Sequence, residues 1–132
     1  MVQRTNKTKN DKEPFLKRVS DHGAVKGIEV LLVEDNPGDA RLIEKMLRTS
    51  STPEFKIIHE DCLKAARQIL CDKHIDVVLL DLHLPDSHGI NTFLQISSVA
   101  PAIPILALTG HNDHELIQQF LNSGGQDYLV KD

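Results

Sequence analysis

The sequence predicts an α/β domain built on a doubly wound, five-stranded parallel sheet. Three observations carry that prediction. The runs Leu31-Leu32-Val33, Val77-Val78-Leu79-Leu80 and Ile105-Leu106-Ala107-Leu108 are apolar on both faces, and a strand buried on both faces belongs to a parallel sheet covered by helices. They alternate with stretches whose apolar residues recur at helical spacing, joined by connectors short enough for right-handed crossovers. Each run also stops abruptly at a polar residue, and in open sheets of this kind ligands bind at the carboxyl ends of the strands.

Taken in order, Met1 to Asn10 has almost no apolar content and is expected to lack structure. Asp11 can cap a short helix over Asp11–His22 with Phe15, Leu16 and Val19 on one face, so residues 1–26 read as a basic flexible leader and residues 27–132 as one domain. The first strand is Ile28 to Val33, followed by Glu34-Asp35. Asn36-Pro37 then opens a helix in which Leu42, Ile43, Met46 and Leu47 recur to about Arg48. Ser50 to Glu54 is a loop, Phe55 to His59 a shorter strand, and Asp61 the cap of a helix with Leu63, Ala66, Ile69 and Leu70 as its buried stripe. The central strand, Ile75 to Leu80, ends in Asp81. Leu84 to Gly89 is a loop, with Gly89 a natural site for positive φ. Ile90 to Val99 is a helix with Ile90, Phe93, Leu94 and Ser97 on one side. A fourth strand ends in Thr109-Gly110. A last helix starts at Asn112 or Asp113, carries Leu116, Ile117, Phe120 and Leu121, and closes at Gly124-Gly125; Tyr128-Leu129-Val130 is the fifth strand, ending in Lys131.

Composition narrows the function. The chain has 132 residues and 40% hydrophobic content, enough for one core. Residues 1–26 carry seven Lys/Arg against three Asp/Glu, and residues 27–132 carry eight against sixteen. An acidic globular part argues against a nucleic-acid surface on it. No apolar run is long enough to span a bilayer, and the first residues do not form a signal peptide. Cys62 and Cys71, nine positions apart on one helix, are too distant to bridge. Two free thiols point to a reducing cytoplasm.

Four strand ends carry polar residues straight after an apolar run: Glu34-Asp35, Asp81, Thr109 and Lys131. A doubly wound sheet brings them to one edge. Three carboxylates there repel, and their proton affinity rises. A divalent cation relieves the repulsion, and an all-oxygen site suits Mg²⁺. A hydroxyl and an ammonium opposite suit phosphoryl oxygens, which makes Asp81 a nucleophile able to form an aspartyl phosphate. Most of these residues also have a plainer use. Asp35 or Asn36 can cap a helix, as can Thr109, Lys131 can be an ordinary surface lysine, and Tyr128 a packed aromatic. Asp81, closing a buried strand, has no plain use.

Four segments, Leu32-Val33-Glu34-Asp35-Asn36, Leu79-Leu80-Asp81-Leu82-His83-Leu84-Pro85-Asp86, Ala107-Leu108-Thr109-Gly110 and Asp127-Tyr128-Leu129-Val130-Lys131, in that order over residues 27–132, resemble the receiver domain of two-component response regulators. The resemblance implies the flavodoxin-like strand order 2-1-3-4-5. It implies that Asp81 accepts a phosphoryl group from the phosphohistidine of a sensor histidine kinase or phosphotransfer protein. Glu34 and Asp35 would form the acid pocket, with Asp35, Asp81 and the backbone carbonyl of His83 on Mg²⁺, the one cofactor expected. Thr109 would meet the phosphoryl oxygen, Lys131 would pair with it, and Tyr128 would turn inward as Thr109 shifts. His83, His88, His111 and His114 fall in loops on this edge at no zinc spacing; His83 and His111 are expected to govern water's access to the acyl phosphate.

The family normally continues with a proline and a final helix, whereas Lys131 is followed only by Asp132. The expectation is a sheet face left under-covered, with several hundred Å² of aliphatic surface. It would be covered by a homodimer or by a helix lost to truncation, ahead of fold-back of residues 11–22. Other function classes are a Mg²⁺-dependent phosphatase with Asp81 as nucleophile, a nucleotide or flavin binder, and a receiver-like interaction module that takes no phosphate. His83 stands where haloacid-dehalogenase-type phosphatases place a second aspartate, and the turn after the first strand lacks G-x-G-x-x-G. The expectation is therefore a switch that turns over only its own phosphoryl group.

Overall fold

The aliphatic runs do form the centre of a parallel sheet. The computed structural model describes residues 2–4, 27–49, 54–110 and 112–131; the helix expected over Asp11–His22 lies outside them, as does His111. In chain order the elements are β1 Val2–Arg4, β2 Ile28–Val33, α1 Pro37–Arg48, β3 Phe55–Glu60, α2 Leu63–Asp72, β4 Val77–Asp81, β5 His83–Leu84, β6 Ser87–His88, α3 Ile90–Val99, β7 Ile105–Thr109, α4 His114–Asn122 and β8 Asp127–Lys131. Five parallel strands run β3-β2-β4-β7-β8, the expected order 2-1-3-4-5. Beyond β8 lies β1, paired antiparallel with Val2 opposite Lys131 and Arg4 opposite Leu129. Met1 to Asn10 was expected to lack structure, and for Val2–Arg4 that fails. Three residues are too few to show a strand pattern, and the pairing is dictated by the open hydrogen-bonding edge of β8 rather than by local propensity.

Every residue of β4 and β7 is buried, so alternate side chains feed two cores. Leu31, Val33, Val78, Leu80 and Ala107 face α2, α3 and α4, meeting Leu63, Ala66, Phe93, Ile96, Ile117 and Phe120. Phe93 and Phe120 pack edge to face at 4.9 Å between centroids, a geometry worth about 1 kcal/mol beyond the area it buries. Val30, Leu32, Val77, Leu79, Leu106, Leu108 and Leu129 form the second core with Ala40, Ile43 and Leu47 of α1. Among the described residues α1 is the one helix on this face, yet Leu79, Leu106 and Leu108 are 0%, 2% and 1% exposed. The bare aliphatic surface expected there is absent at these positions.

Local signals set the element ends. The Asn36 side chain accepts the Asp39 N–H at 2.9 Å, capping α1 with Pro37 in its first turn. Helix α4 closes with Gly124 at φ +111°, the Gly125 N–H bonding Phe120 O at 2.9 Å and the Gly124 N–H bonding Leu121 O at 3.3 Å, the double closure of a left-handed cap. Asp61 does not cap α2. Asp86 does so from the loop after β4, its two oxygens accepting the Leu63 and Lys64 N–H groups at 2.8 and 3.0 Å. Slight burial of Asp86 is outweighed by those amides, which hold its carboxyl below the usual range. The expected loop Leu84–Gly89 contains a small hairpin, β5 against β6, before Gly89 turns into α3 at φ +72°. On α3 the inward face is Thr92, Phe93 and Ile96, while Leu94 is 47% exposed. Thr92 replaces it because its hydroxyl pairs with Ser87 at 2.7 Å, which satisfies both inside.

Candidate functional site

Strand register brings the polar ends together. Val33 lies opposite Leu80 and Asp81 opposite Leu108, so the residue after β2 and the last residue of β4 end side by side. Thr109 closes β7 opposite Val130, which sets Lys131 one step further along the same edge. Glu34 is fully buried and Asp81 nearly so, while Asp35 is exposed.

Lys131 reaches back across the sheet. Its Nζ donates to Glu34 Oε1 at 2.8 Å and to Asp81 Oδ2 at 3.1 Å, and it is ion-paired with Asp39 Oδ2 at 3.1 Å. The second oxygen of Glu34 accepts the Asn36 N–H at 3.2 Å, and the second oxygen of Asp81 accepts the His83 N–H at 2.8 Å. Burial, a hydrogen bond shared with Asp81 and that residue's charge push the Glu34 carboxyl up to about 7, although Lys131 pulls it down. For Lys131 burial favours the neutral amine, but Glu34 and Asp81 outweigh it and hold the ammonium well above the usual lysine value. One cation thus serves three carboxylates.

Glu34, Asp35 and Asp81 each offer an oxygen, and these oxygens lie within 4.8 Å of one another. Hard oxygen donors crowded in this way fit Mg²⁺ better than a softer metal. The Thr109 hydroxyl, 3% exposed, donates to Gly110 O at 3.0 Å and Asp113 Oδ2 at 3.1 Å. It does not cap α4. Tyr128 is half-buried and packs on the three-helix core. His83 and His88 face each other across the hairpin with ring centroids 6.3 Å apart, and His114, the first residue of α4, is exposed. Among the described residues no three-ligand cluster includes His83, His88 or His114.

Two acidic residues of the site went unrecognised in the sequence. Asp39 looks like an acidic residue favouring the positive end of α1, and Asp113 like the cap of α4. Nothing local distinguishes those roles from pairing with Lys131 or Thr109. Only the proximity of Asp39 to Glu34-Asp35, within one turn of the helix they precede, hints at the first.

The family model for the response regulator receiver domain matches residues 30–132. The chain is 32% identical over 111 residues to the two-component response regulator ORR1 of Oryza sativa subsp. japonica, covering 77% of this chain and 48% of that one. It therefore spans about half the length of that relative. Among solved structures it resembles the phosphorylated cyanobacterial phytochrome response regulator RcpA, with a TM-score of 0.68, 24% identity, and 80% and 81% of the two chains covered. It also resembles the receiver domain of the sensor histidine kinase PA1611 from Pseudomonas aeruginosa PAO1, solved with a magnesium ion coordinated in its active site cleft. There the TM-score is 0.66 at 32% identity, with 80% and 85% covered. The chain belongs to the response regulator receiver domain family. Among the described residues no helix is long and apolar enough to cross a membrane.

Proposed function

We propose that Asp81 is the phosphoacceptor of a two-component phosphorelay. A carboxylate oxygen of Asp81 attacks the phosphorus of a partner's phosphohistidine, the P–N bond breaks, and the imidazole leaves with its electron pair and takes up a proton. The observation that carries this reading is Lys131 Nζ, 3.1 Å from Asp81 Oδ2 at the buried end of β4. A fixed ammonium at that distance offsets the charge that gathers on the transferred group. Asp35, Asp81 and the His83 carbonyl would hold Mg²⁺, with Glu34 beside them, and bound there the ion neutralises phosphoryl and carboxylate charge. The His83 N–H keeps the acceptor carboxylate oriented through its other oxygen.

The phosphorylated state draws the Thr109 hydroxyl towards Asp81, and Tyr128 follows into the space vacated, altering the face formed by α4 and β8. The module turns over only its own phosphoryl group, so it is a switch rather than an enzyme with a separate substrate. Its upstream partner is a sensor histidine kinase or phosphotransfer protein, and the two free cysteines suit the cytoplasm. Incubation with acetyl phosphate or beryllofluoride and Mg²⁺, followed by mass spectrometry and fluorine NMR, tests the assignment. An adduct on wild type that vanishes in Asp81→Ala is the expected result, and one that persists in the variant overturns it.

A further inference from the structure

Asp113 stands at the N-cap position of α4, yet its side chain makes no capping bond to the helix. An aspartate there ordinarily accepts an amide N–H of the first turn. Instead the carboxylate points back into the site. Its Oδ2 accepts the Thr109 hydroxyl at 3.1 Å and the Gly110 N–H at 3.3 Å, and its Oδ1 lies 3.4 Å from His83 Nε2. The backbone of the same His83 donates to Asp81. A connected path therefore runs Asp81, His83, Asp113, Thr109, along which the acceptor and the switch threonine meet the same histidine and carboxylate.

We propose that Asp113 is a latch that holds the Thr109 hydroxyl away from the acceptor and releases it on phosphorylation. A hydroxyl has one proton to give. Thr109 is almost sealed from solvent, so its proton goes to Asp113 and the Gly110 carbonyl or to a phosphoryl oxygen, not to both. Phosphorylation supplies phosphoryl oxygens that compete with Asp113 for that hydroxyl. Asp113 acts through Thr109 and is a positioning residue.

The latch rests on the reading of Asp81 as phosphoacceptor, and one titration separates the two. Beryllofluoride affinity in saturating Mg²⁺ is measured for wild type, Asp113→Ala and Asp113→Ser. Both variants should bind about three- to tenfold tighter, the value of one side-chain hydrogen bond that no longer has to break. Serine can still cap α4, so equal tightening in both variants excludes helix fraying as the cause. In a Thr109→Val background, which has no hydroxyl to hold, Asp113→Ala should change nothing. Unchanged or weaker binding in the Asp113 variants, or equal tightening without the Thr109 hydroxyl, overturns the latch while the Asp81 adduct stands. No adduct on wild type overturns both.

Discussion

At the carboxyl edge of the sheet Glu34, Asp35 and Asp81 bring oxygens within 4.8 Å of one another, and at the opposite edge Glu29, His74 and Asp76 gather their ligand atoms as closely. The two clusters differ in what their groups lack. Asp76 Oδ2 accepts the Glu29 N–H and Oδ1 pairs with His74 Nε2, both at 2.8 Å, while the Asp76 N–H returns a bond to Glu29 O. That cluster is solvated and self-satisfied, a staple joining the starts of β2 and β4. At the other edge two carboxylates are buried, share a single ammonium with Asp39, and one of them takes up a proton near neutrality. Proximity of acidic groups is common to both. Of these two clusters, the one that the functional reading uses is the one that removes charge from water with a single counter-charge among the described residues.

The contrast can be broken at three points. The largest effect belongs to Lys131→Met, which leaves the buried carboxylates without their cation. Urea denaturation at pH 8 should show a loss of about 2–4 kcal/mol, as for removing one partner of a buried ion pair. A loss within error of zero would mean that Lys131 is not what holds the edge together. Next is pH. The Glu34 carboxyl is raised from 4.5 to about 7 in the folded protein, so the native state keeps a proton that the unfolded chain has released. Stability measured in chelator should be greatest below pH 4.5 on this account and fall by of order 2 kcal/mol as pH rises to 7 and just above. Glu34→Gln should flatten that slope, and Glu29→Gln should leave it as in wild type. The smallest effect is Asp76→Ala, costing about 1 kcal/mol through two lost hydrogen bonds to one carboxylate, with beryllofluoride binding unchanged.

Much of this was legible from residue pattern alone. Val77–Leu80 and Ile105–Leu108 can only be doubly buried strands, and once the sheet is parallel its topology forces Glu34, Asp81, Thr109 and Lys131 to one edge. Contacts whose partners lie on different elements were hidden. Asp86 caps a helix that begins 23 residues earlier, and the nearer Asp61 was the natural local choice. Asp39 and Asp113 sit where helix-start chemistry already explains an aspartate, so propensity masks their second partners. Leu94 fits the apolar stripe of α3 by spacing, but the buried Ser87–Thr92 hydroxyl pair rotates that stripe by one position.

The pairing of β1 with β8 bears on self-association. A five-stranded open sheet offers two rows of unpaired amides and carbonyls as templates for strand addition between molecules. Here the row on β8, next to Lys131, is taken by the chain's own Val2–Arg4, and the border this creates is only three residues long, short enough to make a poor template. Strand exchange or cross-β stacking is thereby directed to β3, where exposed Lys56 and His59 and half-buried Glu60 set charged or polar groups along the opposite border. Phe55–Glu60 is thus the longer open row, while the row beside the acceptor site is occupied by Val2–Arg4.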